Sequence, residues 1–239
     1  MGDLMNVCVP TGNFGNIFAA YLAKLMGLPI GKLICASNKN NILTDFLQTG
    51  TYDRNRQFHL TMSPSMDILI SSNLERMLFE LSGRNDALVQ EYMSQLAENG
   101  RYQVDASIQS KLSGEFFGGY CDDEQTKKVI GAVWEKHGYL IDPHTAVAFD
   151  VLEQDRKASG DDTVSVVVST ASPFKFCASV LDALGVGEHC QGTDILDQLT
   201  QQTGVETPAP LASLKNKRRR FDTVSEKDRM VDQVLNMLK

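Results

Sequence analysis

A parallel α/β sheet flanked by helices is predicted by three observations. Two short apolar runs, residues 6–9 and 32–36, enclose an amphipathic segment at 16–26, which is the grammar of a βαβ unit and of a right-handed crossover. A β-branched run at 163–169, Thr-Val-Ser-Val-Val-Val-Ser, lacks the polar alternation of a half-solvated strand and reads as a buried parallel strand. Between them the chain is mostly of helical period, so the later half is largely helical.

The elements follow in order. After the strand at 6–9, the helix at 16–26 sets Ile17, Tyr21, Leu22 and Leu25 on one face, and Gly27-Leu28-Pro29 stops it. The second strand, 32–36, is followed by a short helix at 42–47 that ends near Gly50. Residues 73–81 carry Leu74, Met77, Leu78 and Leu81 at helical spacing, and 86–97 carry Leu88, Val89, Tyr92, Met93 and Leu96. The stretch 99–120 is less regular, with a short helix expected at 106–112; helices at 124–137 and 145–153 continue the pattern. The run at 163–169 leads into a helix at 173–184 with Pro173 in its first turn. A helix near 195–203 and a turn at Thr207-Pro208-Ala209-Pro210 come next. Ser225 is the expected N-cap of a last helix with Met230, Val231, Val234, Leu235 and Leu238 on one face.

Composition narrows the function. With 239 residues, 42% hydrophobic and 22% charged, the chain buries a real core rather than remaining disordered. A net charge of −7 argues against general affinity for nucleic acid or anionic membrane surfaces. No long apolar run and no signal-peptide pattern occur. Cys8, Cys35, Cys121, Cys177 and Cys190 are odd in number, widely spaced and without a Cys-x-x-Cys pair, which points to reduced thiols and a cytoplasmic setting. His59, His137, His144 and His189 form no metal-ligand spacing, so no metal is expected.

The sharpest local signal is Val7-Cys8-Val9-Pro10-Thr11-Gly12-Asn13-Phe14-Gly15-Asn16-Ile17, where an apolar strand runs through a Gly/Asn turn straight into a helix. Such a corner aims backbone N–H groups and the positive end of a helix dipole at one point, which suits a phosphate. Gly12 and Gly15 are expected to supply positive φ and room for an anion, and Asn13 and Asn16 to tolerate left-handed backbone and add donors. The loop lacks the Gly-Lys-Ser/Thr ending of a P-loop and the glycine spacing of the dinucleotide fingerprint. Taken alone it fits either a phosphate cradle or a plain strand-to-helix corner.

Thr11-Gly12-Asn13-Phe14-Gly15-Asn16 resembles the phosphate-binding loop of the threonine synthases, enzymes that use pyridoxal 5'-phosphate (PLP) on the fold-type-II, tryptophan synthase beta-like scaffold. Collinear matches follow at Ala36-Ser37-Asn38-Lys39-Asn40-Asn41, Ser65-Met66-Asp67-Ile68, Ser72-Asn73-Leu74-Glu75-Arg76, Asp142-Pro143-His144-Thr145-Ala146-Val147-Ala148 and Ser169-Thr170-Ala171-Ser172-Pro173-Phe174-Lys175-Phe176. The resemblance implies PLP as cofactor, with Gly12, Asn13, Phe14, Gly15 and Asn16 on its phosphate and Thr170, rather than Ser169, on its pyridine nitrogen. It implies conversion of O-phosphohomoserine and water to threonine and phosphate. In the family this loop lies near the middle of the polypeptide and the Schiff-base lysine lies upstream of it. The chain is therefore expected to be the C-terminal portion of such an enzyme, incomplete at the N-terminus and inactive alone, its partner being the missing N-terminal half. The opening Met1-Gly2-Asp3-Leu4 fits that expectation, reading as an interior turn. Residues 1–184 are expected to form part of the PLP-binding domain and 185–239 a helical extension packed on it.

Other positions carry two readings each. Thr170 either caps the following helix or meets a ligand at the carboxyl edge of the sheet, where ligands of open α/β sheets gather. Asn40 and Asn41 read as helix caps near that edge. Asp142-Pro143 is a helix start, and His144 is either a base or a structural residue for which the sequence names no partner. Lys175 reads as structural, because the resemblance puts the Schiff-base lysine upstream. The basic run Lys217-Arg218-Arg219-Arg220 reads as a solvated surface. Two alternatives to threonine synthase stand: another fold-type-II PLP lyase, and a non-catalytic module that binds a phosphate ligand.

Overall fold

A computed structural model describes residues 2–218 and 220–238; Met1 and Arg219 of the basic run lie outside the described residues. The central sheet is built from β1 (Met5–Pro10), β2 (Ile30–Ser37), β5 (Phe116–Tyr120) and β6 (Ser165–Val167), in the order β5-β2-β1-β6. All its pairings are parallel, with Val9 opposite Cys35, Ala36 opposite Gly119 and Val7 opposite Val166. The predicted βαβ unit is present as β1, α1 (Gly15–Leu25) and β2.

Helices cover both faces of the sheet. On one side lie α1, α2 (Ile42–Thr49), α3 (Leu74–Leu81), α4 (Asp86–Asn99) and α5 (Ala106–Glu115), together with the antiparallel pair β3 (Thr51–Asp53) and β4 (Arg101–Gln103). Their apolar faces join Val7, Val9, Leu33 and Cys35 in one core, which explains the helical spacing of Leu74, Met77, Leu78 and Leu81. On the other side α7 (Pro143–Ser159) lays Val147, Ala148 and Val151 against Cys8, Ile34 and Ala36. The small Ala148 lets this helix lie close to the strands. A third layer, α6 (Asp123–His137), α8 (Cys177–Ala183) and α9 (Asp194–Thr203), closes over it around Ile130, Val180, Leu181 and Leu199.

Three sequence expectations need correction. The run at 163–169 forms a strand only at Ser165–Val167, and it is an edge strand. It pairs with β1 alone, so Val164 is 71% and Val166 46% exposed, while Val167 packs on the α7 side. The helix expected at 173–184 is broken. A single 3₁₀ turn at Pro173–Lys175 meets α8 at Phe176, whose φ of −131° is not helical. Ser225 is not a cap, because the chain enters a 3₁₀ turn at Lys227–Arg229 from Glu226 before the last helix, Met230–Met237. That helix buries none of its apolar face.

Candidate functional site

The carboxyl end of β1 delivers the Gly/Asn turn. Pairing with β2 continues past the strand, since Thr11 N–H donates to the Ala36 carbonyl at 2.8 Å, and the Thr11 hydroxyl donates to the Val9 carbonyl at 2.7 Å. The turn then uses its residues differently from the sequence expectation. Neither Gly12 nor Gly15 takes a positive φ; the left-handed residue is Phe14, at φ 63° and ψ 4°. A bulky residue rarely occupies that region. Burial holds it there: Phe14 is 1% exposed and its ring lies 5.8 Å from that of Phe116. Gly12 is required for a different reason. A Cβ on it would stand 2.7 Å from the Ser65 carbonyl oxygen and 3.2 Å from Met66 Cα.

Helix α1 begins at Gly15 with no side-chain cap and no acidic residue in its first turn. Its leading N–H groups have no intrahelical acceptor, and Gly15 and Asn16 are exposed. The second half of the turn is braced from outside. Asn13 Oδ1 accepts from the backbone N–H and the hydroxyl of Ser72, both at 2.7 Å, and Ser71 Oγ donates to the Gly12 carbonyl at 2.9 Å. Asn73 Nδ2 donates to the Asn13 carbonyl at 2.9 Å.

The opposite wall is the 3₁₀ turn Pro64–Met66. A buried polar network anchors the segment that carries it. Asn38 Nδ2 donates to Asp67 Oδ1 at 2.7 Å, Asn40 Nδ2 to the same oxygen at 3.0 Å, and Thr61 Oγ1 also at 2.7 Å. Of the two asparagines expected as caps, Asn40 and Asn41, only Asn41 stands at a helix N-cap position. Asn40 is buried in this network, and Asn41, at the cap position of α2, makes no capping bond.

The turn, Ser65, Met66, Asn73, His144 and Thr170 line one cavity of about 240 Å³. Every residue that the sequence assigned to the phosphate or the ring nitrogen therefore reaches one place. Thr170 does not cap the next helix; Ser172 does, its Oγ accepting from Phe174 N–H at 3.3 Å. Thr170 is exposed at the mouth. Lys175 is exposed elsewhere, and no lysine lines the cavity among the described residues. A larger space of about 500 Å³ between α1, α3 and α4 shares no residue with this one and is walled by Phe18, Leu22, Phe79 and Met93.

His144, for which the sequence named no partner, also lines the cavity at the 12–16 turn. It is 2% exposed, and its partner is Asp142, with Nδ1 2.9 Å from Oδ1. Asp142 is fully buried, caps α7 by accepting from His144 N–H at 2.9 Å, and also takes the Thr145 hydroxyl. Burial alone would raise its pKa, but the hydrogen bonds from His144 and Thr145 outweigh that and hold the carboxyl below its ordinary value. Thr145 Oγ1 lies 3.2 Å from Ser169 Oγ, which ties this group to the end of β6. The motif Asp-Pro-His-Thr was visible in the sequence; its contact with residue 65 was not.

A Gly/Asn turn after one parallel strand, Thr170 after its neighbour, and helices on both faces of the parallel sheet are the architecture of the fold-type-II scaffold, which the matching solved structures share. Comparisons with known proteins agree. A PLP-bound threonine synthase from Brucella melitensis superposes with a TM-score of 0.82 at 36% identity, over 98% of this chain and 46% of that one. The yeast threonine synthase structure gives 0.84 at 34% identity, over 98% and 47%. Threonine synthase-like 1 of Macaca fascicularis is 42% identical over 189 residues, 78% of this chain and 25% of the relative. The family model described as "Threonine synthase, C-terminal" matches residues 145–235. The chain belongs to the threonine synthase family, and it spans about a quarter of the length of the first curated relatives it matches. Among the described residues, no helix is long and apolar enough to cross a membrane.

Proposed function

We propose that this chain supplies the cofactor-phosphate and ring-nitrogen contacts of a threonine synthase, which converts O-phosphohomoserine and water to threonine and phosphate with PLP. The observation that carries this reading is the single cavity that joins the 12–16 turn to Thr170. The residues fit the group: the α1 N-terminus has no capping side chain or carboxylate to compete with an anion, and at Gly12 a Cβ would collide with the Ser65 backbone. When bound, PLP supplies electron withdrawal from the substrate amino acid. The backbone N–H groups of the turn hold its phosphate. The Thr170 hydroxyl meets the ring nitrogen as a neutral partner and so does not enforce a proton there, as a carboxylate would. With no lysine among the described lining residues, covalent attachment of the cofactor is assigned to upstream sequence, and the chain alone is inactive. Its five free cysteines support a reducing, cytoplasmic compartment.

The test is a visible-absorbance titration with PLP, followed by borohydride reduction and mass measurement. Saturable binding that leaves no specific covalent adduct is expected. A single stoichiometric adduct on a lysine of this chain, or release of phosphate from O-phosphohomoserine by the chain alone, would overturn the reading.

A further inference from the structure

The cavity wall opposite the phosphate turn is tied down by a residue from a distant helix. Ser65 N–H donates to His144 Nε2 at 3.3 Å, across 79 positions of sequence. Asp142 accepts at the other ring nitrogen, Nδ1, at 2.9 Å. Hydrogen-bond logic then fixes the proton. A buried carboxylate held in its ionised form can only accept, so Nδ1 carries the hydrogen. A backbone N–H can only donate, so Nε2 presents its lone pair. Phe176, whose ring centroid is 4.9 Å from that of His144, fixes the ring plane from the side. With both nitrogens engaged, the imidazole has no free site from which to serve a substrate as base.

We infer that His144 is a positioning residue. It holds the Ser65–Met66 backbone at the distance from Gly12 that shapes the phosphate cavity, acting through Ser65 rather than on the ligand. The inference rests on the cofactor reading above for its consequence in binding, but its geometry stands without it. Three observations converge. The wall segment is so close that any side chain at residue 12 would strike Ser65. The network around Asn38, Asn40 and Asp67 anchors the wall on one side of Ser65, through Thr61 and Ser63. Ser71 and Ser72 anchor the turn itself on the other. At Ser65 the bond from His144 is the tie that reaches to α7, and through Asp142 and Thr145 it reaches on to Ser169, beside Thr170. Both ends of the proposed cofactor site are thus indexed to one buried cluster.

The experiment uses the full chain with ¹⁵N labelling. Long-range ¹H–¹⁵N spectra of the wild-type ring report the proton directly: hydrogen on Nδ1 with an accepting Nε2 is expected, and hydrogen on Nε2 overturns the inference with no variant needed. His144→Phe keeps the bulk and the contact with Phe176 but removes both nitrogens. His144→Gln restores an acceptor near the position of Nε2. The Ser65 amide proton is expected to move upfield in His144→Phe and to return in His144→Gln. PLP is then titrated while the amides of residues 12–16 are followed. Affinity is expected to fall about tenfold in His144→Phe, the equivalent of ~1.4 kcal/mol, and to recover in His144→Gln. A Ser65 amide and a PLP affinity unchanged in His144→Phe would refute it. If the wild-type amides of 12–16 do not respond to PLP, the cofactor reading fails, and the ring and Ser65 signals still decide the role of His144.

Discussion

Replacing Gly12 by alanine tests the central geometry with a single methyl group. The added Cβ would sit 2.7 Å from the Ser65 carbonyl oxygen and 3.2 Å from Met66 Cα, and both neighbours are backbone. Neither can swing aside as a flexible side chain would. Overpacking of this kind costs ~1–3 kcal/mol, released here by pushing the Pro64–Met66 turn away from the 12–16 turn. If that displacement is taken out of ligand binding, phosphate or PLP affinity falls ~5- to ~150-fold; if it is taken out of folding, the urea midpoint falls instead. Measuring both on one sample captures the full cost. Gly15→Ala is the internal control. Its Cβ would meet only Asn73 Nδ2, at 3.4 Å, an ordinary contact. The residue opens α1 without a positive φ, so alanine should gain part of the ~1 kcal/mol that separates the two residues in helices. A Gly12→Ala protein as stable and as tightly binding as wild type, or a Gly15→Ala protein less stable than wild type, would refute the close-approach argument.

Other outcomes follow from the same coordinates. Phe14→Ala should lose ~3–5 kcal/mol in urea unfolding, because it empties a fully packed position and gains nothing from the left-handed backbone that alanine must still adopt. Thr170→Val, at an exposed site outside any hydrogen bond that holds the fold, should change stability by less than ~0.5 kcal/mol and yet alter the absorbance of bound PLP. For Asp142 the native pKa lies below the unfolded one, so its contribution to stability is present near neutrality. It is lost as pH falls through the ordinary carboxylate value of ~3.9 towards the lower native value, and Asp142→Asn should flatten that part of the urea-midpoint profile. Burial pushes the Cys35 and Cys121 thiols up to about 12 and Cys8 higher still, so a thiol reagent at pH 8 should label Cys190 at once and the buried cysteines only on unfolding.

What the sequence disclosed and what it withheld divide along a physical line. Patterns confined to one element were legible: the βαβ unit, the apolar faces of α3 and α4, the Asp142-Pro143 helix start, and the turn after β1. Each depends on residues a few positions apart. Even there, the positive φ expected at Gly12 is absent. Glycine conformational freedom is a local property that a sequence suggests readily, whereas the proximity of Ser65 is a fact of tertiary packing. The same distinction explains β6. A β-branched run reports that valines prefer a strand, but whether both faces are covered depends on neighbours that the run does not name, and in this chain β6 stands at the edge.

His144 shows why such a site resists sequence reading even when its motif is plain. Asp142 and His144 share a helix N-terminus, and their hydrogen bond, which the sequence did not name, resembles an acid–base dyad. The proton count excludes that use only once the third partner is known. Ser65 N–H, delivered by an irregular segment, occupies the nitrogen that a base would need. The segment is irregular because Asn38, Asn40, Thr61 and Asp67 satisfy its polar groups in place of secondary structure, leaving Ser65 free to face Gly12. A buried histidine–aspartate pair beside a ligand cavity is thus no sign of base catalysis until both ring nitrogens are accounted for. In the reading proposed above, the pair orients a wall, and the cofactor contacts fall to the 12–16 turn and Thr170.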